Sequence, residues 1–281
     1  MKHRTLGLTL AGLVFSTALV ALPSHASATV PATAPAASYP GLATAGTITF
    51  GTNFGYPPME MYTGSNADTP TGVDVEIGEQ IATRLHLKYS FFNVTDFSAI
   101  VPGLLSHRWD IILSSLNVDP DRAKRVNFIE YMISGQSILV RKGNPEHIMG
   151  LSDLSGKSVA VQFSTVEADT VAAQNKTLAS KHKPLIKLST FKEDTTAIAA
   201  LAQGRFSAVL DDSPVALYNV KERPNLFQIA GSAFGTAPYG MAFRKSDTKF
   251  QADVNHVFRA MRADGTYKRI LRKYGLTSAA L

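Results

Sequence analysis

Two short stretches of this chain carry side chains able to hold both charged ends of a free α-amino acid. The first is Leu113-Ser114-Ser115-Leu116-Asn117-Val118-Asp119-Pro120-Asp121-Arg122, and the second, ninety residues beyond Arg122, is Val209-Leu210-Asp211-Asp212-Ser213-Pro214. A guanidinium grips a carboxylate through two parallel hydrogen bonds. A carboxylate is the natural partner of an ammonium group, and Ser or Asn side chains take the remaining donors and acceptors. Most Arg and Asp residues so far apart are separate surface charges, so the meaning of the pair depends on the elements that carry it.

From residue 47 onward, strands alternate with helices, the mark of an α/β fold. Residues 48–51 read as a short strand. Residues 74–85 read as a helix, with Ile77, Ile81 and Leu85 at four-residue spacing and with Thr71 and Asp74 placed as a capping box. Residues 109–113 read as a buried strand. Asp119-Pro120 is a helix start, a capping carboxylate followed by proline at the first helical position, which puts Arg122 in the first turn.

The pattern then repeats. A strand at 158–162 leads to a helix capped by Ser164-Thr165 and running through Val171. A helix at 195–203 closes at Gly204, a strand at 208–210 ends in Asp211-Asp212, and Ser213-Pro214 opens the next helix. A long amphipathic helix at 249–264 stops at Gly265, and a last one covers 267–273. Gly55-Tyr56, the stretch from Ser114 to Arg122, Gln162 to Thr165, and Asp211-Asp212 all lie where a strand gives way to a helix. That is where α/β sheets bind ligands.

Composition narrows the class. Residues 1–28 read as a cleaved export signal: Lys2, His3 and Arg4 precede an almost wholly apolar run from Leu6 to Leu22, and Ser24-His25-Ala26 or Ala26-Ser27-Ala28 offers a small-residue cleavage site. The apolar run is short for a membrane span and ends at Pro23. Residues 29–46, rich in Ala, Pro, Thr and Ser, read as a flexible leader. Loss of Lys2 and Arg4 lowers the net charge from +6 to +4, with no block of basic residues beside stacking aromatics, so a nucleic-acid partner is not expected. The absence of cysteine excludes disulfides, thiol catalysis and lipidation of an N-terminal cysteine. The seven histidines have no metal-ligand spacing; neither metal nor cofactor is expected.

Further motifs follow one another along the chain: Phe50-Gly51-Thr52-Asn53-Phe54-Gly55-Tyr56-Pro57-Pro58-Met59, Thr71-Gly72-Val73-Asp74-Val75, Phe97-Ser98-Ala99-Ile100-Val101-Pro102-Gly103-Leu104 and Arg108-Trp109-Asp110-Ile111-Ile112. Leu154-Ser155-Gly156-Lys157-Ser158-Val159-Ala160-Val161-Gln162, Asp212-Ser213-Pro214 and Ala263-Asp264-Gly265-Thr266-Tyr267 complete the series. In this order, over residues 46–275, the chain resembles the extracytoplasmic solute-binding proteins, family 3, of polar amino-acid ABC transporters. The resemblance implies a two-lobed, type II periplasmic-binding-protein fold, each lobe a mixed sheet flanked by helices. Lobe one would be 47–133 plus 240–281 and lobe two 134–239, hinged near 135–140 and 238–243.

The resemblance also assigns roles. Arg122 pairs with the ligand carboxylate, aided by the backbone N–H and hydroxyl of Thr165. Asp212, with Asp211 as the alternative, holds the ammonium with Ser115, beside Ser114 and Asn117. Tyr56 and Phe97 sandwich the aliphatic part of the ligand. Asn53, Glu60 and Gln162 set specificity or, alternatively, form a solvated rim. Three departures stand out: Phe163 where a glycine is usual, Asn117 where Ser or Thr is commoner, and a segment 126–132 one residue shorter than the usual form.

The function implied is a monomeric periplasmic protein that closes on a polar L-amino acid and delivers it to a permease. A cyclohexadienyl-type dehydratase on the same fold is the enzymatic alternative. It needs a proton donor near the leaving hydroxyl, and such enzymes carry a glutamate where this chain has Val215. A soluble amino-acid sensor is the third reading; a receptor joined covalently to a membrane span would need an apolar run after the lobes, and none is present before Leu281.

Overall fold

The computed structural model describes residues 39–64 and 68–281. The expected export signal and most of the expected leader lie outside the described residues. In chain order the elements are β1 (Thr47–Thr52), β2 (Met61–Thr63), β3 (Thr69–Thr71), α1 (Val73–Arg84), β4 (Lys88–Asn93), α2 (Ile100–Leu105), β5 (Ile111–Ile112), α3 (Pro120–Ala123) and β6 (Val126–Arg141). They continue with β7 (Ser158–Gln162), α4 (Val166–Ser180), β8 (Lys187–Phe191), α5 (Asp194–Ala202), β9 (Ala208–Asp212), α6 (Ser213–Glu222), β10 (Phe227–Arg244), α7 (Thr248–Ala263) and α8 (Thr266–Lys273).

Eight of the strands form one mixed sheet in the order β4-β1-β5-β10-β6-β9-β7-β8. Its two ends repeat one plan. In one half β1 pairs in parallel with β4 on one side and β5 on the other; in the other half β7 pairs in parallel with β8 and β9. The crossover direction therefore reverses at β1 and again at β7, which makes the carboxyl ends of these two strands the switch points where such sheets bind ligands. The long antiparallel strands β6 and β10 join the halves into a two-lobed molecule, with register shifts between Ala230 and Phe234, Phe234 and Ala237, and Tyr239 and Gly240. Both extend well beyond the short crossing strands expected from sequence.

The apolar periodicity of α1 works as anticipated: Ile77 and Ile81 are buried with Phe50 and Leu113 in one core. Its start differs. Gly72 is the N-cap, with no side-chain cap, so the capping box does not form. The Asp74 carboxylate instead accepts hydrogen bonds from the Ser115 backbone N–H and the Tyr131 hydroxyl, both at 2.7 Å. A fully buried carboxylate needs partners inside the core, and these lie away from the helix end. The expected strand at 109–113 narrows to β5, although the N–H groups of Asp110 and Leu113 still donate to Thr49 and Gly51. The helix expected to run through Val171 continues to Ser180.

Ordered packing begins earlier than residue 47, which corrects the leader boundary. The Tyr39 ring packs on Phe250 and its hydroxyl donates to Asp253 at 2.8 Å. Asp110, buried with Arg244, accepts from the N–H groups of both Ala43 and Thr49, so residues 41–46 are tied to the first half.

Trp109 is wholly buried and wedged between two glycines: a Cβ on Gly51 would lie 2.6 Å from its indole, and one on Gly103 2.0 Å. Gly103→Ala is therefore expected to destabilise the fold by about 1–3 kcal/mol, the usual cost of overpacking a filled core. Urea unfolding followed through Trp109, the sole tryptophan, checks this; an unchanged midpoint would show that the indole can move aside.

Candidate functional site

The switch points at β1 and β7 face each other. Asn53, just past β1, accepts a hydrogen bond at 2.8 Å on its Oδ1 from Nε2 of Gln162, the last residue of β7. Around this contact lies a narrow, nearly filled cavity of about 10 Å³, lined by Asn53, Tyr56, Glu60, Phe97, Ser114, Ser115, Asn117, Gln162, Thr165, Glu167 and Asp212. The lining includes every residue singled out from sequence except Arg122 and the alternative Asp211, and one that was not, Glu167. Asn53, Glu60 and Gln162 are all buried, so none forms a solvated rim.

The first half contributes a polar bed. Ser114 accepts from the Asn53 backbone N–H and donates to Glu60 Oε1, each at 2.9 Å. Ser115 has a left-handed backbone, φ 47°; its N–H points to Asp74, and its hydroxyl lies 3.4 Å from Glu60 and 3.3 Å from Asp74. Burial pushes Glu60, only 1% exposed, well above the usual carboxylate range, and the neighbouring charge of Asp74 pushes it further. Burial also takes Asp74 up to about 6. Two adjoining acids of this kind hold a proton more readily than either would alone.

The second half contributes carboxylates. Asp212 ends β9 and is the N-cap position of α6. It accepts from the Ser134 hydroxyl at 3.0 Å and lies 2.9 Å from the Tyr56 hydroxyl, which is equally close to Asp211. One phenol has one proton to donate, so Tyr56 is shared between the two aspartates. Asp212 lines the cavity and Asp211 does not; Asp211 is further engaged by the Asp212 backbone N–H at 2.8 Å. Thr165 is the N-cap position of α4, and its hydroxyl donates to the Gln162 carbonyl at 2.9 Å rather than being free.

Arg122 stands at the margin of the cavity. Asp119 caps α3, accepting from the N–H groups of Asp121 and Arg122, and its other oxygen is 3.0 Å from Arg122 Nε. Nη1 donates to the Asn117 carbonyl and Nη2 to the Ser164 carbonyl, both at 3.0 Å, so the guanidinium spans the two halves. It also lies 5.8 Å from the centre of the Phe97 ring. These contacts use three of its five N–H groups and leave two.

Glu167 and Asp194 escaped sequence reading because acids in the first turn of a helix are ordinary partners of the helix dipole. Here both are buried. Burial and the charge of Asp212 raise Glu167 well above its usual value and take Asp194 up to about 7. Asp74 was visible in its motif but was read as a cap. A carboxyl raised in the folded state lets the unfolded chain bind fewer protons between the two pKa values, so stability falls as pH rises through that window. Apparent melting temperature is expected to fall between about pH 4 and 7, and Asp194→Asn to flatten this slope and raise the melting temperature at pH 7. Thermal melts across that range check it; a parallel slope in the variant would place the titration elsewhere.

The family model for bacterial extracellular solute-binding proteins, family 3, matches residues 48–277. The L-cystine-binding protein TcyJ of Escherichia coli is 29% identical over 230 residues, 82% of each chain. An ancestral arginine-binding protein, solved bound to arginine, superposes with a TM-score of 0.75 at 33% identity, over 82% of this chain and 98% of the other. An ancestral amino-acid-binding protein described as a precursor of cyclohexadienyl dehydratase gives 0.73 at 31% identity, over 82% and 95%. With its two switch points meeting across one cavity, and with a family match along most of its length, this chain belongs to the bacterial extracellular solute-binding proteins, family 3.

Proposed function

We propose that this protein is a periplasmic binding protein that captures a polar, preferably cationic, L-amino acid between its lobes and delivers it to an ABC permease. The lobes are 47–133 with 240–281 and 134–239, flexing where β6 and β10 cross between them. The observation that carries the reading is the charge inventory of the closed cavity: Glu60, Glu167 and Asp212 line it, while Arg122 stands at its margin. Arg122 keeps two N–H groups for a ligand carboxylate, and Asp212 takes the ammonium. The methylenes of the ligand lie between Tyr56 and Phe97, and its tip reaches Glu60, Asn53 and Gln162. A ligand that touches both lobes favours the closed state over the open one. The kinship with arginine- and cystine-binding proteins supports this reading, since arginine has a second cationic group and cystine a second ammonium. The dehydratase reading lacks its own proton donor, as Val215 occupies the position where the dehydratases carry glutamate.

The first test is calorimetry on variants. Arg122→Ala and Asp212→Asn are each expected to weaken binding by roughly 2–5 kcal/mol, the cost of removing one partner of a buried charge pair, and Asp211→Asn by much less. Arg122→Ala within threefold of wild type would remove the carboxylate assignment, and a reversed order of the aspartates would exchange their roles.

A second test addresses side-chain preference. Arginine, lysine, histidine and glutamine are expected to raise the melting temperature more than glutamate or aspartate, because a buried carboxylate repels acidic ligands. Glu60→Gln should narrow that gap. Glutamate binding best to wild type would overturn the charge argument, and an unaltered ranking in the variant would exclude Glu60 from recognition.

A further inference from the structure

The carboxylates of the cavity outnumber what a single ammonium group needs. Asp212 already has a Ser134 hydroxyl and a share of Tyr56. Glu167, on the first turn of α4, also lines the cavity; it is 3% exposed, and its Oε1 has no hydrogen-bond partner. A buried carboxyl oxygen without a donor costs stability, and this one belongs to a residue that lines the cavity. The groups around it are Asp212 and Asp211 at the end of β9, Arg122 on α3, Tyr56 after β1 and the Thr165 hydroxyl, while Asp194 on α5 and Tyr239 on β10 bear on Asp212. Arg122 is the one cation among them, and Asp119 and two carbonyls already engage it. The cluster is therefore too acidic for every carboxyl to be ionised at once.

We propose that Glu167 is a ligand-binding residue that accepts a hydrogen bond from the ligand's ammonium group beside Asp212, and that the ligand's positive charge replaces a proton held by this pair of carboxyls. The proposal deepens the amino-acid reading above and rests on it. In the step an O–H bond of the carboxyl pair breaks and its proton passes to solvent. The ammonium keeps its three protons and stands where the proton stood, so the charge of the cluster is conserved. Burial and the charge of Asp212 both raise Glu167, so the pair holds its proton to higher pH than a free carboxyl does. Affinity consequently rises as pH rises through the range where the pair titrates.

The test is isothermal titration of the full mature protein at pH 7 with L-arginine, L-glutamine and L-cystine, each in phosphate and in Tris, whose ionisation enthalpies differ. For any of these that binds, the heats are expected to differ between buffers by an amount corresponding to release of up to about one proton per ligand. Glu167→Gln, which keeps shape and removes the charge, is expected to lower affinity at least about tenfold and to abolish most of the buffer dependence. Buffer-independent heats in wild type overturn the proton exchange without any reference to a variant. A Glu167→Gln protein that binds within threefold of wild type, or more tightly, overturns the ligand contact. A wild type that binds none of the three amino acids overturns the functional reading itself, and this inference with it.

Discussion

The pairing of β6 with β10 is the constraint on which the rest of the molecule depends. Both strands take part in both halves of the sheet, so neither lobe has a sheet of its own that closes without them. An antiparallel pair fixes register residue by residue, because a one-residue slip turns every side chain to the other face. The bulges between Ala230 and Tyr239 interrupt that register between the two regular stretches of the pair. Beside them lie Ser134, which donates to Asp212, and Tyr239, which packs near Tyr131 and pairs with Asn117 through an isolated bridge. The crossing thus contributes side chains to the site as well as joining its halves.

The site is made by bringing two equivalent places together. Each half has a parallel strand at which the crossover direction reverses, and each such strand ends in an amide side chain, Asn53 after β1 and Gln162 on β7. Their hydrogen bond is a direct contact between switch points. Other contacts across the cleft repeat the theme, from Tyr56 to Asp211 and Asp212, and from Arg122 to the Ser164 carbonyl. Residues expected to hold a ligand therefore also hold the lobes together. The same groups serve both ends because a closed cleft must satisfy its buried polar atoms.

Electrostatics sets the cost of this arrangement. Glu60, Asp74, Glu167, Asp194, Asp211 and Asp212 are all buried around one cleft, and burial raises every one of them. Buried charge is tolerated when it is paired, hydrogen-bonded or neutralised by a proton. Hydroxyls of Ser114, Ser115, Ser134, Tyr56 and Tyr131 meet part of the need, but Oδ2 of Asp194 and of Asp211 and Oε1 of Glu167 remain without partners. On the function proposed above, such a cluster would favour a cation that enters it, through the summed burial of several carboxyls and not through any single residue.

Much of this was legible in the chain itself. Asp119-Pro120 determined where α3 begins and hence the place of Arg122, because a capping carboxylate and a proline act within one turn. The apolar spacing of α1 and the Ser164-Thr165 and Ser213-Pro214 starts were equally local, and the ordered motifs carried the two-lobed architecture. Side-chain partners across long sequence distances were not legible. Asp74 read as a cap but turned to Ser115 and Tyr131, Glu167 was not singled out but lines the cavity, and Tyr39 read as leader but packs on Phe250. Local sequence determines which backbone bonds a segment can make on its own. Only the tertiary structure decided which carboxyls were removed from water together, because burial depends on elements that the chain brings together from far apart.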